Sequence, residues 1–468
     1  MTGEIWRLGA CETALAIREG KHTCLEVVQA AAERLSTVNP DINAVTVDLT
    51  AEALDAAKEF DEALSKGVKP GPLYGVPVTL KENIDLAGKA TTLGVSHFLD
   101  NVAPDDAPVV RSLKEAGAII IGQTNMPEFG LRWVTDNPLR GPTINPWDPE
   151  RTPGGSSGGA AASVAMGIGS IAHGNDLGGS LRYPSYCCGL ATIKPGFGSV
   201  PNFNPSMGAN RPLSFQLMAV QGPIARSVAD VRLAFEVMSS RDILDPHWCP
   251  PLKFSMPENT DIRIAIPERL GYDADVSVRQ SIDTAAGYLS DAGFKLETVQ
   301  LPSVEETLDL WGTLLFTDIR IMQNEMIKEH GSEDIVSVIG FRLGRYPDAT
   351  LEDYVKALAR RIEVLQQWSI KMEDFPLILA PVSLDPPIGP KEDKESSERY
   401  QRILEAQSWL ILANFLGLPA VSVPTGVTNG LPTGVQLIGR RFHEPMCLDV
   451  AQVIEDRVGI LSRQLWEG

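Results

Sequence analysis

The stretch PGGSSGGAAASVAMGIGSIAHGNDLGGSLRYP, residues 153–184, places two serine-containing clusters among closely spaced glycines. The first cluster holds Ser156 and Ser157, the second holds Ser180, and nine glycines lie within the stretch. Because glycine loses more conformational freedom on folding than any other residue, chains use it where the backbone takes a positive φ or approaches another group closely. Packing alone does not account for so many glycines, so both serine clusters are candidates for a chemical role.

The composition limits the partners that this chain can have. It has 468 residues, of which 43% are hydrophobic and 22% charged, as in a soluble globular protein with ample material for a core. The formal net charge of −19 would repel phosphate backbones and anionic lipids, which argues against nucleic acid and membranes as partners. No run of about 18 apolar residues is present. Charges between positions 4 and 18 interrupt any signal-peptide apolar region, so we expect a cytoplasmic protein.

The six cysteines do not form a disulfide framework in a chain of this length, so we expect them to be reduced. The adjacent pair Cys187 and Cys188 lacks both CxxC spacing and clustered histidines, which are the usual signs of a metal or redox site. We expect both to be small, buried, apolar side chains.

Alternating helix and strand patterns predict an α/β fold. A capping box that starts at Thr23 opens an amphipathic helix. A strand pattern over residues 75–80 ends at Lys81, and a helix over residues 107–117 leads into the apolar strand AIIIGQTN at 118–125. Because continuous apolar strands are typical of burial on both faces, we expect a central mixed, largely parallel sheet covered by helices on both faces.

Later segments extend this sheet. Further strand patterns lie at residues 262–267, 377–381, 420–424 and 434–439. A helix-rich block at 304–368 is predicted to form a lid or side layer over the sheet. Two Pro-rich or charged stretches, 244–260 and 383–400, are predicted to be long surface connections and need not mark domain boundaries.

The glycine-rich run GGSSGG at 154–159 precedes an alanine-rich helix and presents backbone N–H groups as phosphate loops do. No Lys-Ser/Thr pair follows it, so the Walker pattern fails, but a generic phosphate site stays open. The nucleophile pattern G-x-S-x-G also fails at both serine clusters. His173 lies seven residues before Ser180 with no obvious route to its hydroxyl, so we expect a packing or hydrogen-bonding role for it.

Lysine is the other candidate base for a serine nucleophile. A hydroxyl is a weak nucleophile until a base accepts its proton, and neutral lysine can do so when burial lowers its pKa from about 10.4. Lys81 ends an apolar strand, where the sheet would hold it away from solvent. A lysine at such a place is also typical of a solvated strand end, so this segment by itself leaves both interpretations open.

Several segments together resemble the amidase signature family. They are GGSSGG (154–159), GNDLGGSLRYP (174–184), IKPGFGSVP (193–201) and VPVTLKENIDLAG (76–88). Ser156 and Ser180 are 24 positions apart, the spacing between bridging serine and nucleophile in that family. The segments GQTNMPEFG, NPWDPERTPGGSSGG, GLPAVSVPTG and GLPTGVQLIGRRF extend the resemblance over nearly the whole chain. It implies one amidase domain over residues 1–468, with a core region at about 70–225 and a helix-rich side region at about 303–370.

The resemblance also implies a role for each matching residue. Ser180 would be the nucleophile, Ser156 the proton bridge after a cis peptide bond, and Lys81 the neutral base. The expected oxyanion hole consists of the backbone N–H groups of Leu177, Gly178, Gly179 and Ser180. The carbonyl of Gly130 would line the substrate site, and Gly155, Ser157, Asp176 and Arg182 would support the loops. No metal or organic cofactor is expected.

Four positions depart from the family pattern. Asn175 stands where relatives have Ser or Thr, and His173 stands where they have aliphatic residues. Gly196 and Ser199 replace a Thr and an Arg. None of them is one of the three expected catalytic positions, so the departures bear on the subfamily.

The implied activity is hydrolysis of linear carbon–nitrogen bonds in small non-peptide amides, with carbamates (urethanes) and esters as further candidate substrates. An alternative is the amidase component of glutamyl-tRNA(Gln) amidotransferase, part of a larger complex. Tyr183 stands where such components have glutamine, and the negative charge fits tRNA poorly. A third hypothesis is a non-catalytic anion binder. The aromatic residues Trp133, Trp311, Phe316 and Phe341 are candidate pocket walls, and a homodimer is one expected assembly.

Overall fold

The computed structural model describes residues 4–250 and 262–467, and one mixed sheet of eleven strands runs through them. The strands are β1 (Val45–Asp48), β2 (Pro77–Lys81), β3 (Ile119–Thr124), β4 (Ile171–Asp176), β5 (Ala191–Lys194), β6 (Val220–Ala225), β7 (Arg263–Pro267), β8 (Lys295–Val299), β9 (Leu377–Pro381), β10 (Ala420–Thr428) and β11 (Leu431–Gly439). Their order across the sheet is β1-β3-β2-β4-β6-β5-β10-β11-β9-β7-β8.

Helices flank this sheet, as the sequence predicts. They are α1 (Ala10–Arg18), α2 (Cys24–Ile42), α3 (Thr50–Ser65), α4 (Pro108–Glu115), α5 (Gly158–Ala165), α6 (Arg182–Cys188), α7 (Leu213–Met218), α8 (Val228–Met238), α9 (Val276–Asp291), α10 (Val304–Met322), α11 (Asn324–His330), α12 (Glu333–Arg345), α13 (Leu351–Asp374), α14 (Ser397–Ala406), α15 (Ser408–Phe415) and α16 (Glu444–Val458). The predicted capping box is formed, because the Thr23 hydroxyl accepts from the N–H of Glu26 and the Glu26 carboxylate accepts from the N–H of Thr23.

The sheet is mixed, but it is not largely parallel. Among the described strands, four neighbouring pairs are parallel and six are antiparallel. The prediction took a continuous apolar run as a sign of parallel pairing. Here helices flank the sheet, so antiparallel strands at its centre, such as β5 and the first six residues of β10, are equally buried and carry the same apolar pattern.

Four helices, α10 to α13, fill the predicted helix-rich block between β8 and β9. Three of them begin at hydroxyl caps, where the side chains of Ser303, Ser332 and Thr350 accept from backbone N–H groups in the first turn. Helix α10 packs against α15, and its buried residues include Trp311 and Phe316. This block therefore forms one wall beside the loop that follows β4.

The stretch at 383–400 is not only a surface connection. Asp393 and Tyr400 are buried, and Asp393 accepts two hydrogen bonds of 2.8 Å from the guanidinium of Arg132. Asp393, one of the charged residues that suggested solvent exposure, instead pairs with an arginine in the interior. Of the other predicted connection, 244–260, residues 251–260 lie outside the described part of the chain.

Candidate active site

Lys81 is the last residue of β2, which lies between β3 and β4 in the sheet, and its side chain is fully buried. Its Nζ donates to Ser156 Oγ at 2.7 Å and to Asn175 Oδ1 at 2.6 Å. Burial lowers the pKa of Lys81 to about 7, and the negative charge of Asp176 partly opposes that shift. A large fraction of this lysine is therefore neutral near neutral pH.

Ser156 lies in the turn before α5, after a cis peptide bond between Gly155 and Ser156. A Cβ at Gly155 would lie 2.5 Å from the carbonyl oxygen of Arg132 and 2.7 Å from the carbonyl carbon of Trp133, so only glycine fits there. The hydroxyl of Thr135 secures the same turn, since it donates to the Gly154 carbonyl and accepts from the N–H of Gly158.

Two neighbours complete the surroundings of Ser156. Ser157 Oγ lies 3.5 Å from the carbonyl oxygen of Asn175, which connects the turn to β4. A Cβ at Gly130 would lie 3.5 Å from Ser156 Oγ, so the backbone of Gly130 passes close to that hydroxyl. Ser157 and Gly130 therefore both lie beside the turn that contains Ser156.

Ser180 follows β4 in a short loop that leads into α6 and lines a small cavity. Within the described residues no hydrogen bond joins its Oγ to Ser156 Oγ, whereas Lys81 Nζ donates to Ser156 Oγ. The structure thus brings Lys81 and Ser156 into direct contact and places Ser180 on the cavity. Catalytic hydrogen bonds often form only once substrate is bound, so this geometry leaves Ser180 available to complete the chain.

Asp176 and Arg182 hold the loop that contains Ser180. The Asp176 carboxylate accepts from the N–H groups of Gly179 (2.7 Å) and Leu181 (3.1 Å) and pairs with the buried guanidinium of Arg182 at 3.1 Å. Burial alone would raise the pKa of Asp176, but the charge and hydrogen bonds of Arg182 outweigh it and hold the pKa at about 2. Arg182 also donates to Gln436 in β11 and to Leu410 and Asn414 in α15.

One of the four expected oxyanion donors is already engaged. The N–H of Gly179 donates to the Asp176 carboxylate. The N–H groups of Leu177, Gly178 and Ser180 have no acceptor among the described residues, and all three residues line the cavity. Three neighbouring donors therefore remain for a negatively charged oxygen.

The wall of the cavity beside Ser180 combines aromatic and apolar side chains with two arginines and the backbone of the loop after β4. The cavity is lined by Gly130, Leu131, Arg132, Trp133, Leu177, Gly178, Ser180, Trp311, Leu315 and Arg342. Arg132 is paired with Asp393, whereas the guanidinium of Arg342 lies 5.2 Å from the ring centres of both Trp133 and Tyr400. The two indole rings give this wall flat surfaces against which a ligand group can pack.

His173 is fully buried in β4, a strand that the sequence analysis did not predict. Its Nε2 lies 2.8 Å from Gln221 Oε1, and burial lowers its pKa to about 4, so the imidazole is neutral. Asn175 in the same strand is a contact that sequence analysis missed, although its departure from Ser or Thr was the available signal.

Other kinds of site are not apparent in the described part of the chain. No group of three or more His, Cys, Asp or Glu side chains there could hold a metal ion. All six cysteines are free, and Cys187 and Cys188 are buried. No described helix has both the length and the apolar character needed to cross a membrane.

Comparison with known proteins agrees with this architecture. A family model described as amidase matches residues 26–448, and the chain belongs to this family, the amidase signature hydrolases, which makes it an amidase acting on carbon–nitrogen bonds of amides. An indoleacetamide hydrolase from Bradyrhizobium diazoefficiens is 45% identical over 99% of this chain and 89% of that protein.

Two further proteins show the breadth of the similarity. A component of the glutamyl-tRNA(Gln) amidotransferase from Carboxydothermus hydrogenoformans is 33% identical over 97% of each chain. The crystal structure of a bacterial aryl acylamidase of the amidase signature family superposes with a TM-score of 0.86 at 26% identity, covering 98% of this chain and 97% of the other.

Proposed function

We propose that this chain hydrolyses small non-peptide amides through Ser180, Ser156 and Lys81, with a covalent acyl-enzyme on Ser180. The observation that carries the proposal is the buried hydrogen bond of 2.7 Å between Lys81 Nζ and Ser156 Oγ. Burial lowers the pKa of Lys81 to about 7, so an uncharged amine is available as a base near neutral pH.

The proposed reaction begins when Ser180 Oγ attacks the amide carbonyl carbon. The proton of Ser180 passes to Ser156 Oγ while Ser156 gives its own proton to Lys81 Nζ. The negative oxygen of the tetrahedral intermediate accepts hydrogen bonds from the free N–H groups of the loop after β4. The proton then returns through Ser156 to the leaving nitrogen, the carbon–nitrogen bond breaks, and water hydrolyses the acyl-enzyme by the same relay.

Aromatic acyl groups are the first candidate substrates. The cavity beside Ser180 includes the indole rings of Trp133 and Trp311 and the side chains of Leu131 and Leu315. A relative 45% identical to this chain is an indoleacetamide hydrolase, which favours arylacetamides such as indoleacetamide. Carbamates and esters of similar acyl size are further candidates, because the same nucleophile can attack their carbonyl carbons.

A component of an amidotransferase complex is the second candidate function, and identity of 33% to one such component favours it. The two functions differ in what the isolated chain can do. A stand-alone hydrolase cleaves primary arylacetamides by itself and releases ammonia, whereas a component of a complex needs its partners and acts on glutamine. The net charge of −19 and Tyr183 support the hydrolase.

The test uses the purified chain and a panel of arylacetamides, fatty amides, aryl carbamates, aryl esters and glutamine. We expect turnover of arylacetamides by the chain alone, abolished in Ser180→Ala and lowered by orders of magnitude in Lys81→Ala. Intact mass measurement after rapid acid quench should detect the acyl adduct on wild type and not on Ser180→Ala. Wild-type rates in both variants would overturn the proposed mechanism. Tight anion binding that persists when Ser180→Ala and Lys81→Ala are combined in one chain would favour a non-catalytic binder.

We further propose that residues 1–468 act as one amidase domain in the cytoplasm, with no nucleic acid or membrane partner. The single sheet through the described residues supports one domain, and the six free cysteines support a reducing compartment. Sedimentation of the purified chain would test the expected homodimer, and fractionation of cells would test the compartment.

A further inference from the structure

The carbonyl oxygens of the four residues from Asp176 to Gly179 each accept a hydrogen bond from a donor that lies outside this loop. The donors are Asn414 Nδ2 to Asp176 (3.0 Å), Trp311 Nε1 to Leu177 (3.4 Å), Trp133 Nε1 to Gly178 (3.2 Å) and the N–H of Tyr183 to Gly179 (2.7 Å). Each of these four carbonyls belongs to the peptide unit that carries one of the four expected oxyanion N–H groups. The hydrogen bond to each carbonyl therefore also fixes the direction of the N–H group in the same peptide unit.

The reason is the geometry of the trans peptide unit, in which the carbonyl oxygen and the N–H point to opposite sides. The unit between Gly178 and Gly179 illustrates this directly. Its carbonyl accepts from Trp133, and its N–H reaches Asp176 Oδ1 at 2.7 Å. By the same geometry, a donor on the Leu177 carbonyl directs the N–H of Gly178 away from that donor.

We propose that Trp311 is a positioning residue for the oxyanion hole: its indole N–H holds the Leu177 carbonyl and so aims the N–H of Gly178 at the reacting oxygen. This inference rests on the proposed role of Ser180 as nucleophile. The indole ring also lies against Gly178, where an added Cβ would be 3.1 Å from Trp311 Cζ2. Trp311 thus contacts the same peptide unit through its N–H and its ring.

Trp311 belongs to α10 and lines the cavity, so it connects substrate shape with catalysis. Its ring packs edge-on against Phe316 at 5.6 Å, and Phe316 stacks on Tyr346 at 5.2 Å, which holds the indole from the side of the helical block. An acyl group that leaves this indole in place keeps Gly178 aligned. An acyl group that displaces the indole turns the N–H of Gly178 away from the reacting oxygen, and the transition state is then stabilised less.

The test is Trp311→Phe, which removes the N–H and keeps an aromatic ring. Trp368→Phe is the matched control, because Trp368 lies in α13 of the same block and its buried Nε1 has no hydrogen-bond partner among the described residues. We expect kcat for phenylacetamide to fall about 10-fold or more in Trp311→Phe, up to the about 10²–10³-fold cost of losing a whole oxyanion donor. We expect KM to change little, and Trp368→Phe to retain wild-type kcat.

A second readout separates positioning from loss of packing. An arylboronic acid that forms a tetrahedral adduct on Ser180 should bind Trp311→Phe more weakly, by a factor that matches the loss in kcat/KM, whereas phenylacetate should bind both proteins equally. Trp311→His, which keeps a ring N–H, should recover part of the lost kcat. If Trp311→Phe does not fold, Trp311→His is compared with Trp311→Leu by the same two measurements.

The inference is wrong if Trp311→Phe keeps the wild-type kcat, even with a higher KM. It is also wrong if this variant binds the boronic acid as tightly as wild type does. It is also wrong if Trp311→His and Trp311→Leu are equally impaired. These results leave the proposed function intact so long as wild type forms the acyl-enzyme on Ser180. Turnover without that adduct would instead overturn the proposed function.

Discussion

Lys81 Nζ and Asn175 Oδ1 lie 2.6 Å apart, on the two neighbouring parallel strands β2 and β4. An amide oxygen has no proton to give, so Lys81 must donate to it through one of its own N–H bonds. In the ammonium form Nζ also donates to Ser156 Oγ, 2.7 Å away, whereas in the neutral amine the lone pair faces that hydroxyl and can accept its proton. The contact therefore orients the proposed base.

The first prediction concerns the pH dependence of turnover. The amine of Lys81 accepts a proton only when it is uncharged, and its pKa is lowered to about 7. We expect kcat for phenylacetamide to rise as pH increases through about 7 and to level off above it. Initial rates between pH 5 and 10 at saturating substrate measure this, and a maximum near pH 5 would exclude Lys81 as the base.

The second prediction concerns Asn175. Asn175→Asp places a carboxylate beside Nζ, which favours the ammonium form and raises the pKa of Lys81. The lower limb of the pH–rate profile should therefore move to higher pH, by one unit or more. Asn175→Ser is the control, because its hydroxyl can still accept from Lys81 without adding charge. Asp176 also acts on Lys81 electrostatically, and it is unchanged in these variants. Identical profiles for Asn175→Asp and wild type would contradict the orienting contact.

The third prediction is that Lys81→Met inactivates the protein yet stabilises it. A buried ammonium without a carboxylate in contact is unfavourable, and apolar replacement of buried charges is often neutral or stabilising by about 1–4 kcal/mol. In wild type, the unfolded chain keeps its lysine proton up to about 10.4, whereas the folded chain releases it near 7. Wild-type stability should therefore rise between these values.

Urea denaturation at several pH values measures this difference. The stability advantage of Lys81→Met should be largest below pH 7 and should shrink as pH approaches 10. Lys58→Met, at an exposed lysine of α3, is the control and should show no such trend. A Lys81→Met protein that is less stable than wild type at pH 6 would mean that burial of this lysine carries no penalty.

The sequence was sufficient for elements whose signals are local. The continuous apolar run before Lys81 predicted β2, and the capping box at Thr23 predicted the start of α2. Strand β4 was missed because the segment IAHGND shows no alternation of apolar and polar residues and contains a glycine. Its neighbours make it a strand: it pairs with β2 and β6, and a Cβ at Gly174 would lie 2.8 Å from Leu181 Cδ2.

The candidate site divides in the same way. Ser156, Ser180 and Lys81 were predicted as site residues because their flanking segments resemble those of a family. The contacts of Asn175 and Trp311 join residues 94 and 134 positions apart, and no local pattern encodes such a pairing. The hydrogen bond from the N–H of Gly179 to Asp176 could not be predicted for another reason. It depends on where the Asp176 carboxylate lies in the folded loop.

The last prediction concerns the buried pair of Asp176 and Arg182. Asp176→Asn leaves the guanidinium of Arg182 buried without its counter-charge. It also weakens the hydrogen bonds that the N–H groups of Gly179 and Leu181 donate to this side chain. Breaking a buried pair on one side costs about 3–5 kcal/mol, so we expect a loss of that size at pH 7 by urea denaturation. Asp449→Asn, at the half-exposed pair with Arg232, is the control and should cost about 0–1 kcal/mol.

Titration of Asp176 gives this prediction a pH dependence. The folded pKa of Asp176 lies below its ordinary value of 3.8, so its contribution is complete above about pH 4 and is lost as pH falls toward 2. The difference in stability between wild type and Asp176→Asn should therefore narrow over that interval. A constant difference down to pH 2 would show that Asp176 acts by shape and not by charge.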